Sequence, residues 1–502
     1  MQTGRSVKKN QKNILGKGLK KTRDSAVNKT EKKNRQKTAS RRNSRPKRQG
    51  DTSNTSLLWL SLCLVLVAGG GYLSFDYFMK EQRSPEGEIA KSEVDKSSNL
   101  NAVARSTAEQ QHAQKKMQEE NEELKEILGE KKDASIKKEK AAITVSMKPG
   151  LPLRKIVDKK YPKGKIYIGA TAGVRDLDKQ KGEILAREFS HATPANDFKQ
   201  SHIHPEPGKW KWKEPDAWID FAKENDIVLR VHGPISPQAS KWAMQDNRTP
   251  EELEKVLRDY MKALIQRYDK EKVVQWFDVV NETINPDGSW KEALPGTDKW
   301  ENPWEGMGYF ENVPAEFKSL KGRIPKYIVI AFEVATQYCK HSKLLYNHHS
   351  GMEKPMWDTV KDTILYLRSI GMRVDALGWQ GHIKLMRGKT QWETGEIDNQ
   401  ALADLIDWAH ANKLEFHITE NNIHVPRNKP LDREKHARIF AGIFRTLMSK
   451  RSSGLVVWNL WDISDIKHYK NNKTIKIGLW DKNGKPTLSY YVIRDILENP
   501  PE

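Results

Sequence analysis

Two carboxylic acids in this chain each stand at the end of an apolar, β-branched run. Residues 273–284 read VVQWFDVVNETI, so Glu282 follows Asn281 directly after a stretch typical of a strand buried on both faces. Residues 414–425 read LEFHITENNIHV, and Glu420 occupies the matching position. Taken alone, Asn281 and Glu282 are as consistent with capping of a following helix as with catalysis.

A pair of such strands favours catalysis, because two carboxyl groups on one domain are what glycoside hydrolysis requires. One acid protonates the leaving oxygen, while the other attacks the anomeric carbon or activates a water molecule. Polar side chains at the C-terminal ends of parallel strands meet at one mouth of a β/α barrel, where such barrels keep their chemistry. The two carboxylates therefore predict a glycosidase of α/β class.

The two strands also carry a resemblance to glycoside hydrolase family 10, the family of endo-β-1,4-xylanases. Its hallmark strands read Trp-Asp-Val-Val-Asn-Glu and Thr-Glu, and the resemblance extends over residues 143–498. It implies a (β/α)8 TIM barrel over residues 143–502 and a mechanism that retains anomeric configuration by double displacement. By the same resemblance, Glu282 is the general acid/base and Glu420 is the nucleophile.

The resemblance implies two further groups of residues. Asn281, Gln380 and His382 would support catalysis, with Asn281 holding the 2-hydroxyl of the sugar and His382 bonding the nucleophile. The substrate contacts would be Asn196, Lys199, His232, Asn347 and Trp458. Neither a metal ion nor another cofactor is expected, because no histidine or carboxylate spacing matches a metal site.

The chain departs from the family pattern at three substrate contacts. Ala195 stands where the family has Glu, the loop 233–238 lacks a second histidine, and Asp465 occupies the place of a tryptophan. The expected activity is hydrolysis of β-1,4-xylan or a related plant or algal polysaccharide. The alternative is a membrane-tethered carbohydrate-binding protein on a catalytically impaired barrel.

The elements that must position these residues can be placed by their apolar runs. A helix is expected over residues 153–160, and the loop after the fourth strand, between residues 287 and 326, is long and rich in Trp, Gly and Pro. The remaining barrel strands are expected at residues 165–171, 188–193, 227–232, 344–348, 375–382 and 454–458.

The N-terminal region has a different composition from the barrel. Residues 1–50 hold 18 Lys or Arg against two acidic residues, so most of the net charge of +21 lies there. With almost no aromatic residues and no hydrophobic period, residues 1–51 are expected to be a disordered basic tail. Such a tail fits nucleic acid as well as a cytoplasmic membrane flank. The apolar segment that follows makes nucleic acid an unexpected partner.

Residues 52–75 contain no charged side chain, and LLWLSLCLVLVA within them is almost wholly apolar. A helix of this length spans a hydrocarbon core of about 30 Å. The positive-inside rule then places the tail in the cytoplasm and the barrel outside, with residues 52–78 as a signal anchor. Secretion after signal cleavage is the alternative, because the strongest apolar part is short and small residues follow it. Residues 79–142 are expected to be a charged, partly helical spacer.

Overall fold

The computed structural model describes residues 143–236, 248–292, 302–386, 389–390, 392, 399–467 and 473–502. The expected basic tail (1–51), signal anchor (52–78) and spacer (79–142) lie outside these described residues. Across the described ranges, no helix is both long enough and apolar enough to cross a membrane.

Strands and helices alternate along the described chain, as the apolar runs predict. The strands are β1 (Ile166–Ala172), β2 (His191–Pro194), β3 (Val228–Val231), β4 (Val274–Asn281), β5 (Tyr309–Glu311), β6 (Arg323–Pro325), β7 (Lys343–His348), β8 (Ala376–Trp379), β9 (His382–Met386), β10 (Lys389–Thr390), β11 (Glu415–Pro426), β12 (Val456–Leu460), β13 (Ile466–Lys467) and β14 (Thr474–Ile477). The helices are α1 (Leu153–Lys160), α2 (Gln180–Glu188), α3 (Gln200–Ile203), α4 (Lys213–Glu224), α5 (Pro250–Tyr268), α6 (Lys326–Tyr338), α7 (Lys354–Ser369), α8 (Asn399–Ala411), α9 (Arg433–Ser449) and α10 (Leu488–Glu498).

Eight of the strands form a closed barrel of parallel strands. The order around it is β1, β2, β3, β4, β7, β8, β11 and β12, and β12 pairs with β1 to complete the circle. Apolar side chains fill the layer between these strands and the surrounding helices. The expected (β/α)8 architecture is therefore confirmed for the described residues, and closure leaves no strand edge in the barrel.

Most expected boundaries agree with the structure to within two residues, and the helix at 153–160 is confirmed. The second strand begins later than expected, because Glu188 ends α2 instead of opening β2. Its carboxylate accepts hydrogen bonds from the Leu153 backbone N–H at 3.0 Å and from the Tyr490 hydroxyl at 3.2 Å. Glu188 thus satisfies an otherwise unbonded N–H at the start of α1.

The sixth barrel strand also ends earlier than expected, at Trp379 and not at residue 382. Gly381 follows with a φ of 69°, a left-handed conformation that turns the chain before β9 begins at His382. The turn separates Gln380 from His382, which the sequence had placed on one strand.

Strand β11 is the longest strand among the described residues. It pairs with β8 and β12 inside the barrel and then continues beyond it to pair with β9 and β14. Its register with β12 shifts between Ile418 and Asn421, at the residues Thr419 and Glu420. A register irregularity of this kind re-aims the local side chains, and here it lies at the C-terminal mouth of the barrel.

Candidate active site

Glu282 stands immediately after β4, at the mouth of the barrel. Its φ of 57° is left-handed, a conformation that is uncommon for a residue with a side chain. Its backbone N–H donates to the Asn347 carbonyl at 3.2 Å, which ties the residue to the end of β7. Gln380 Nε2 donates to its Oε1 at 2.9 Å, and Lys291 Nζ lies 3.5 Å from its Oε2.

The environment of Glu282 favours its ionised form. Burial raises the pKa of Glu282, but the charges of His349 and Lys291 and the hydrogen bond from Gln380 outweigh burial and lower the pKa to about 2. Burial also lowers the pKa of His349 to about 4, so His349 is uncharged near neutral pH. At that pH, Lys291 and Gln380 are therefore the groups that keep Glu282 ionised.

Glu420 lies across the mouth on β11 and is only 4% exposed. Asn347 Nδ2 donates to its Oε1 at 3.1 Å, and His382 Nε2 lies 3.2 Å from its Oε2. Burial raises the pKa of Glu420, but the hydrogen bond from His382 and the charges of His232, His382 and Arg230 hold the pKa well below its usual range. Glu420 is therefore an ionised, oriented carboxylate, which is the state that a nucleophile requires.

A chain of side-chain amides joins the two carboxylates. Gln380 Nε2 donates to Asn281 Oδ1 at 3.1 Å as well as to Glu282, and Asn347 Nδ2 donates to Asn281 Oδ1 at 3.0 Å as well as to Glu420. Because Asn281 Oδ1 accepts both bonds, the orientation of its amide is fixed. Its Nδ2 group makes no hydrogen bond within the described residues, so it can donate to a sugar hydroxyl.

Two further residues fix the His382 ring through its second nitrogen. Its Nδ1 lies 2.8 Å from Asn422 Oδ1, and Asn422 Nδ2 donates to Asp462 Oδ2 at 2.7 Å. Burial raises the pKa of Asp462, while the charge of Lys476 and the bond from Asn422 oppose that rise. Neither Asn422 nor Asp462 was predicted, although Asn422 lies two residues after Glu420 and Asp462 four residues after Trp458.

His232 lies below the mouth in a buried ion cluster. It is 1% exposed, and its Nδ1 lies 2.5 Å from Asp278 Oδ2, which also pairs with Arg230. Arg230 Nη2 donates to the carbonyl of Thr419 at 2.8 Å, directly before Glu420. The structure therefore places His232 close to Glu420, where its charge supports the ionised carboxylate.

Two of the residues expected to contact substrate are buried and bonded to other parts of the barrel. Asn347 is fully buried and bonded to Asn281, Glu420 and Thr419, so it is a positioning residue and not a sugar contact. Trp458 is 1% exposed and packs against Phe440 and Phe444 of α9. The sequence placed Trp458 on the wall of the cleft, and that placement is wrong.

Trp461 is the tryptophan that lies beside the catalytic groups. Its ring centroid is 6.0 Å from that of His382 and 6.5 Å from that of His232, and its side chain is partly exposed. Side chains alternate along a strand, and Asn459 of β12 faces the barrel interior, where it bonds Thr171 and the carbonyl of Thr419. Its neighbour Trp458 consequently faces the helices.

Asn196 and Lys199 lie in the loop after β2. Asn196 is exposed, Lys199 is 8% exposed, and the described bonds connect neither side chain to the two carboxylates. The loop is fixed by Asp197, whose carboxylate accepts from Trp218 Nε1 and from the Val174 N–H, both at 2.7 Å. Ala195 precedes them and is partly exposed.

Lys291 and His349 are site residues that the sequence analysis missed. Lys291 Nζ lies 3.0 Å from His349 Nε2 as well as near Glu282, and the Lys291 side chain is 20% exposed. Neither residue belongs to a strand, because one lies in the loop after β4 and the other follows β7. Among the described residues, no group of three His, Cys, Asp or Glu side chains is arranged to hold a metal ion.

The fold and this site together define a class of protein. Two oriented carboxylates at the C-terminal mouth of a parallel (β/α)8 barrel are the apparatus of a glycoside hydrolase. The family model for glycosyl hydrolase family 10 matches residues 156–496, about two thirds of the chain. The chain belongs to glycosyl hydrolase family 10, and it is a glycoside hydrolase.

Individual relatives agree with this assignment. Endo-1,4-beta-xylanase A of Caldicellulosiruptor saccharolyticus is 28% identical over 348 residues, which cover 65% of this chain and 92% of that protein. Among solved structures, native xylanase 10B of Thermotoga maritima is similar with a TM-score of 0.57 and 25% identity, covering 69% of this chain and 98% of that one. Xylanase 10B of Thermotoga petrophila RKU-1 in complex with xylobiose has a TM-score of 0.58 and 25% identity, covering 70% and 99% of the two chains.

Proposed function

We propose that this protein is a retaining β-glycosidase that hydrolyses β-1,4-xylan or a related plant or algal polysaccharide. The observation that carries the proposal is the unbroken hydrogen-bonded chain from Glu282 through Gln380, Asn281 and Asn347 to Glu420. It holds both carboxylates in fixed orientations at one mouth of the barrel. The xylanase relatives support the choice of xylan.

The proposed reaction runs in two displacements. In the first, a Glu420 oxygen forms a bond to the anomeric carbon, the glycosidic C–O bond breaks, and the leaving oxygen takes the proton of Glu282. In the second, water attacks the same carbon, Glu282 removes a proton from the water, and the bond to Glu420 breaks. Two inversions leave the anomeric configuration unchanged.

Asn281 and His382 have separate tasks in this scheme. The free Nδ2 group of Asn281 donates to a hydroxyl of the sugar under attack, and such bonds strengthen as positive charge develops on the ring. His382 donates to Glu420, which lowers the basicity of the carboxylate and helps it leave in the second displacement.

The alternative of a carbohydrate-binding protein on an impaired barrel is less well supported. A barrel that had lost catalysis would have no need to keep both carboxylates and their bonding partners. Glu282, Glu420, Gln380 and His382 are all present and all connected by hydrogen bonds. The three departures from the family pattern concern substrate contacts and bear on which sugar is accepted.

The test is hydrolysis by the purified full-length chain. The substrates are β-1,4-xylan and a panel of other β-linked glycans, and Glu420→Ala and Glu282→Gln are compared with the exposed control Glu434→Gln. We expect release of reducing sugar by the parent and the control but not by Glu420→Ala. Proton NMR of the first product then shows retention. Sugar binding without hydrolysis by the parent, or an inverted product, would overturn the proposal.

We also propose that residues 52–78 anchor the protein in a membrane, with the tail in the cytoplasm and the barrel outside. The support is compositional: 24 uncharged residues follow a strongly basic segment. Fractionation of cells that express the full chain, compared with a variant lacking 52–78, tests this. Recovery of the full chain in the membrane fraction only when 52–78 is present is expected, and a shorter secreted product would indicate signal cleavage instead.

A further inference from the structure

A cavity of about 500 Å³ opens beside Glu282. Its lining includes Glu282, Lys291, His349, Glu353, Gln380 and Lys384. His382, the partner of Glu420, borders the cavity, but Glu420 itself does not line it, so the cavity opens on the side of Glu282. In the proposed reaction, that is the side on which the leaving sugar sits.

Lys291 is held in place within this cavity. An ammonium group only donates hydrogen bonds, so His349 Nε2, at 3.0 Å, is the acceptor. His349 is then protonated on Nδ1, which lies 2.5 Å from the Ser350 hydroxyl. Ser350 thereby fixes the ring that orients the lysine, and Lys291 reaches Glu282 Oε2 at 3.5 Å from this position.

This arrangement opposes the first step of the proposed reaction. Both oxygens of Glu282 face donors, because Gln380 donates to Oε1 and Lys291 lies beside Oε2. Donors stabilise the carboxylate, whereas the step requires a carboxylic acid with a proton to give. A substrate that draws the ammonium of Lys291 toward itself would remove this opposition.

The charges that line the cavity indicate which kind of substrate could draw the Lys291 ammonium away from Glu282. The lining carries two carboxylates, Glu282 and Glu353, and two ammonium groups, Lys291 and Lys384, and the imidazole of His382 lies among them. Protonation of Glu282 leaves Glu353 as the one charged carboxylate of this lining against its two ammonium groups, so positive charge is in excess. An anionic group on the leaving sugar would neutralise it, while Glu353 and Ser350 accept hydrogen bonds from hydroxyl groups.

We propose that the cavity beside Glu282 binds a leaving sugar that carries an anionic group, a carboxylate or a sulfate ester, and that Lys291 pairs with this group. Pairing moves the ammonium away from Glu282 and lets Glu282 hold the proton that the leaving oxygen takes. Lys384, exposed on β9, contributes a second positive charge. The inference rests on the proposed glycosidase function and adds the substrate class.

The test compares neutral, uronic-acid-substituted and sulfated β-1,4-xylo-oligosaccharides as substrates of the full-length chain. The parent should have a kcat/KM at least about tenfold higher for one anionic series than for the neutral one, with a preference that weakens as salt screens the charges. Lys291→Met should reduce the ratio to near one and raise turnover of the neutral substrate. Lys291→Arg should keep the preference. The matched control is Lys361→Met, because Lys361 packs over Trp408 and does not line the cavity.

Whichever anionic series the parent prefers shows whether the group that pairs with Lys291 is a carboxylate or a sulfate ester. An unchanged ratio in Lys291→Met, or a parent that prefers neutral substrates, would overturn the inference. If the parent hydrolyses no substrate, the proposed function has failed, and binding of the same oligosaccharides to Glu420→Ala still decides the inference. The inference is supported if Glu420→Ala binds an anionic series more tightly than the neutral one and this difference disappears when Lys291→Met is added. Equal binding of all series overturns it.

Discussion

The side-chain amide of Asn422 donates to the Asp462 carboxylate at 2.7 Å, and this bond determines how the amide faces His382. With Nδ2 committed to Asp462, Oδ1 must face His382 Nδ1, at 2.8 Å. His382 Nε2 faces the ionised Glu420, which can only accept. Both ring nitrogens therefore face acceptors, and a hydrogen bond to each of them requires a proton on both nitrogens.

Replacement of Asp462 tests this relay. In Asp462→Leu, the Asn422 amide is free to rotate, so His382 loses its fixed acceptor and no longer holds a fixed hydrogen bond to Glu420. We expect kcat to fall about 10- to 100-fold, the range typical for loss of an outer partner of an oriented histidine, with little change in KM. Nitrogen-15 NMR should show two protonated nitrogens on His382 in the parent and one in the variant.

Asp462→Asn is the control for the relay, since its amide oxygen can still accept from Asn422. It should retain most of the activity and the doubly protonated ring. If Asp462→Leu were as active as Asp462→Asn, the relay would have no part in catalysis.

Lys291 should also set the pH range of the enzyme. A general acid must carry its proton, so the alkaline limb of kcat/KM against pH follows the pKa of free Glu282. Lys291 is among the groups that lower that pKa to about 2. Removal of the ammonium in Lys291→Met destabilises the carboxylate and raises the pKa, so the alkaline limb moves to higher pH. A pH–rate profile identical to that of Lys361→Met would show that Lys291 does not act on Glu282.

Asn347 should matter for stability as well as for activity. Asn347→Ala removes the partner of Thr419, Asn281 and Glu420 in a fully buried site. Each buried polar group left without a partner costs about 1–3 kcal/mol, so urea unfolding should show a clear loss of unfolding free energy, and kcat should fall with it. Thr419→Val removes only one of these bonds and should have a smaller effect on both measurements. Equal effects of the two variants would contradict the central place of Asn347.

The ion cluster beneath the mouth gives a further stability prediction. Arg230 and Asp278 are both fully buried, so Arg230→Met leaves the Asp278 carboxylate inside the barrel without the guanidinium and with His232 as its remaining partner in the cluster. Such losses typically cost about 3–5 kcal/mol in unfolding free energy. Adding Asp278→Asn should restore much of that loss. Failure of the second substitution to do so would mean that Arg230 acts through its bond to the Thr419 carbonyl instead.

The two strands that deliver Glu282 and Glu420 could be predicted because their signal is local. Apolar, β-branched runs that end in Asn281–Glu282 and Thr419–Glu420 combine a buried strand with a polar terminus. The placement of Trp458 was wrong because it depends on which face of its strand points inward, whereas Asn347 does point to the two carboxylates but is fully bonded to its neighbours there. A shift of one residue reverses that face, and the family pattern alone did not resolve it.

Lys291, His349 and Trp461 could not be predicted for a different reason. They follow strands or lie in loops, whose conformation depends on contacts with distant parts of the chain. The register shift at Glu420 is likewise set by pairing with β12, and no residue within β11 signals it. The sequence therefore located the two carboxylates better than the groups that adjust their charge.

The left-handed backbone of Glu282 has a consequence for laboratory evolution of this enzyme. Strain of this kind stores about 1–3 kcal/mol and is relieved most easily by glycine or asparagine. A screen that selects only for heat tolerance would therefore enrich replacements of Glu282 itself, and under the proposed mechanism these are folded and inactive barrels. Populations selected for thermal tolerance should retain Glu282 only where hydrolysis is selected in the same round.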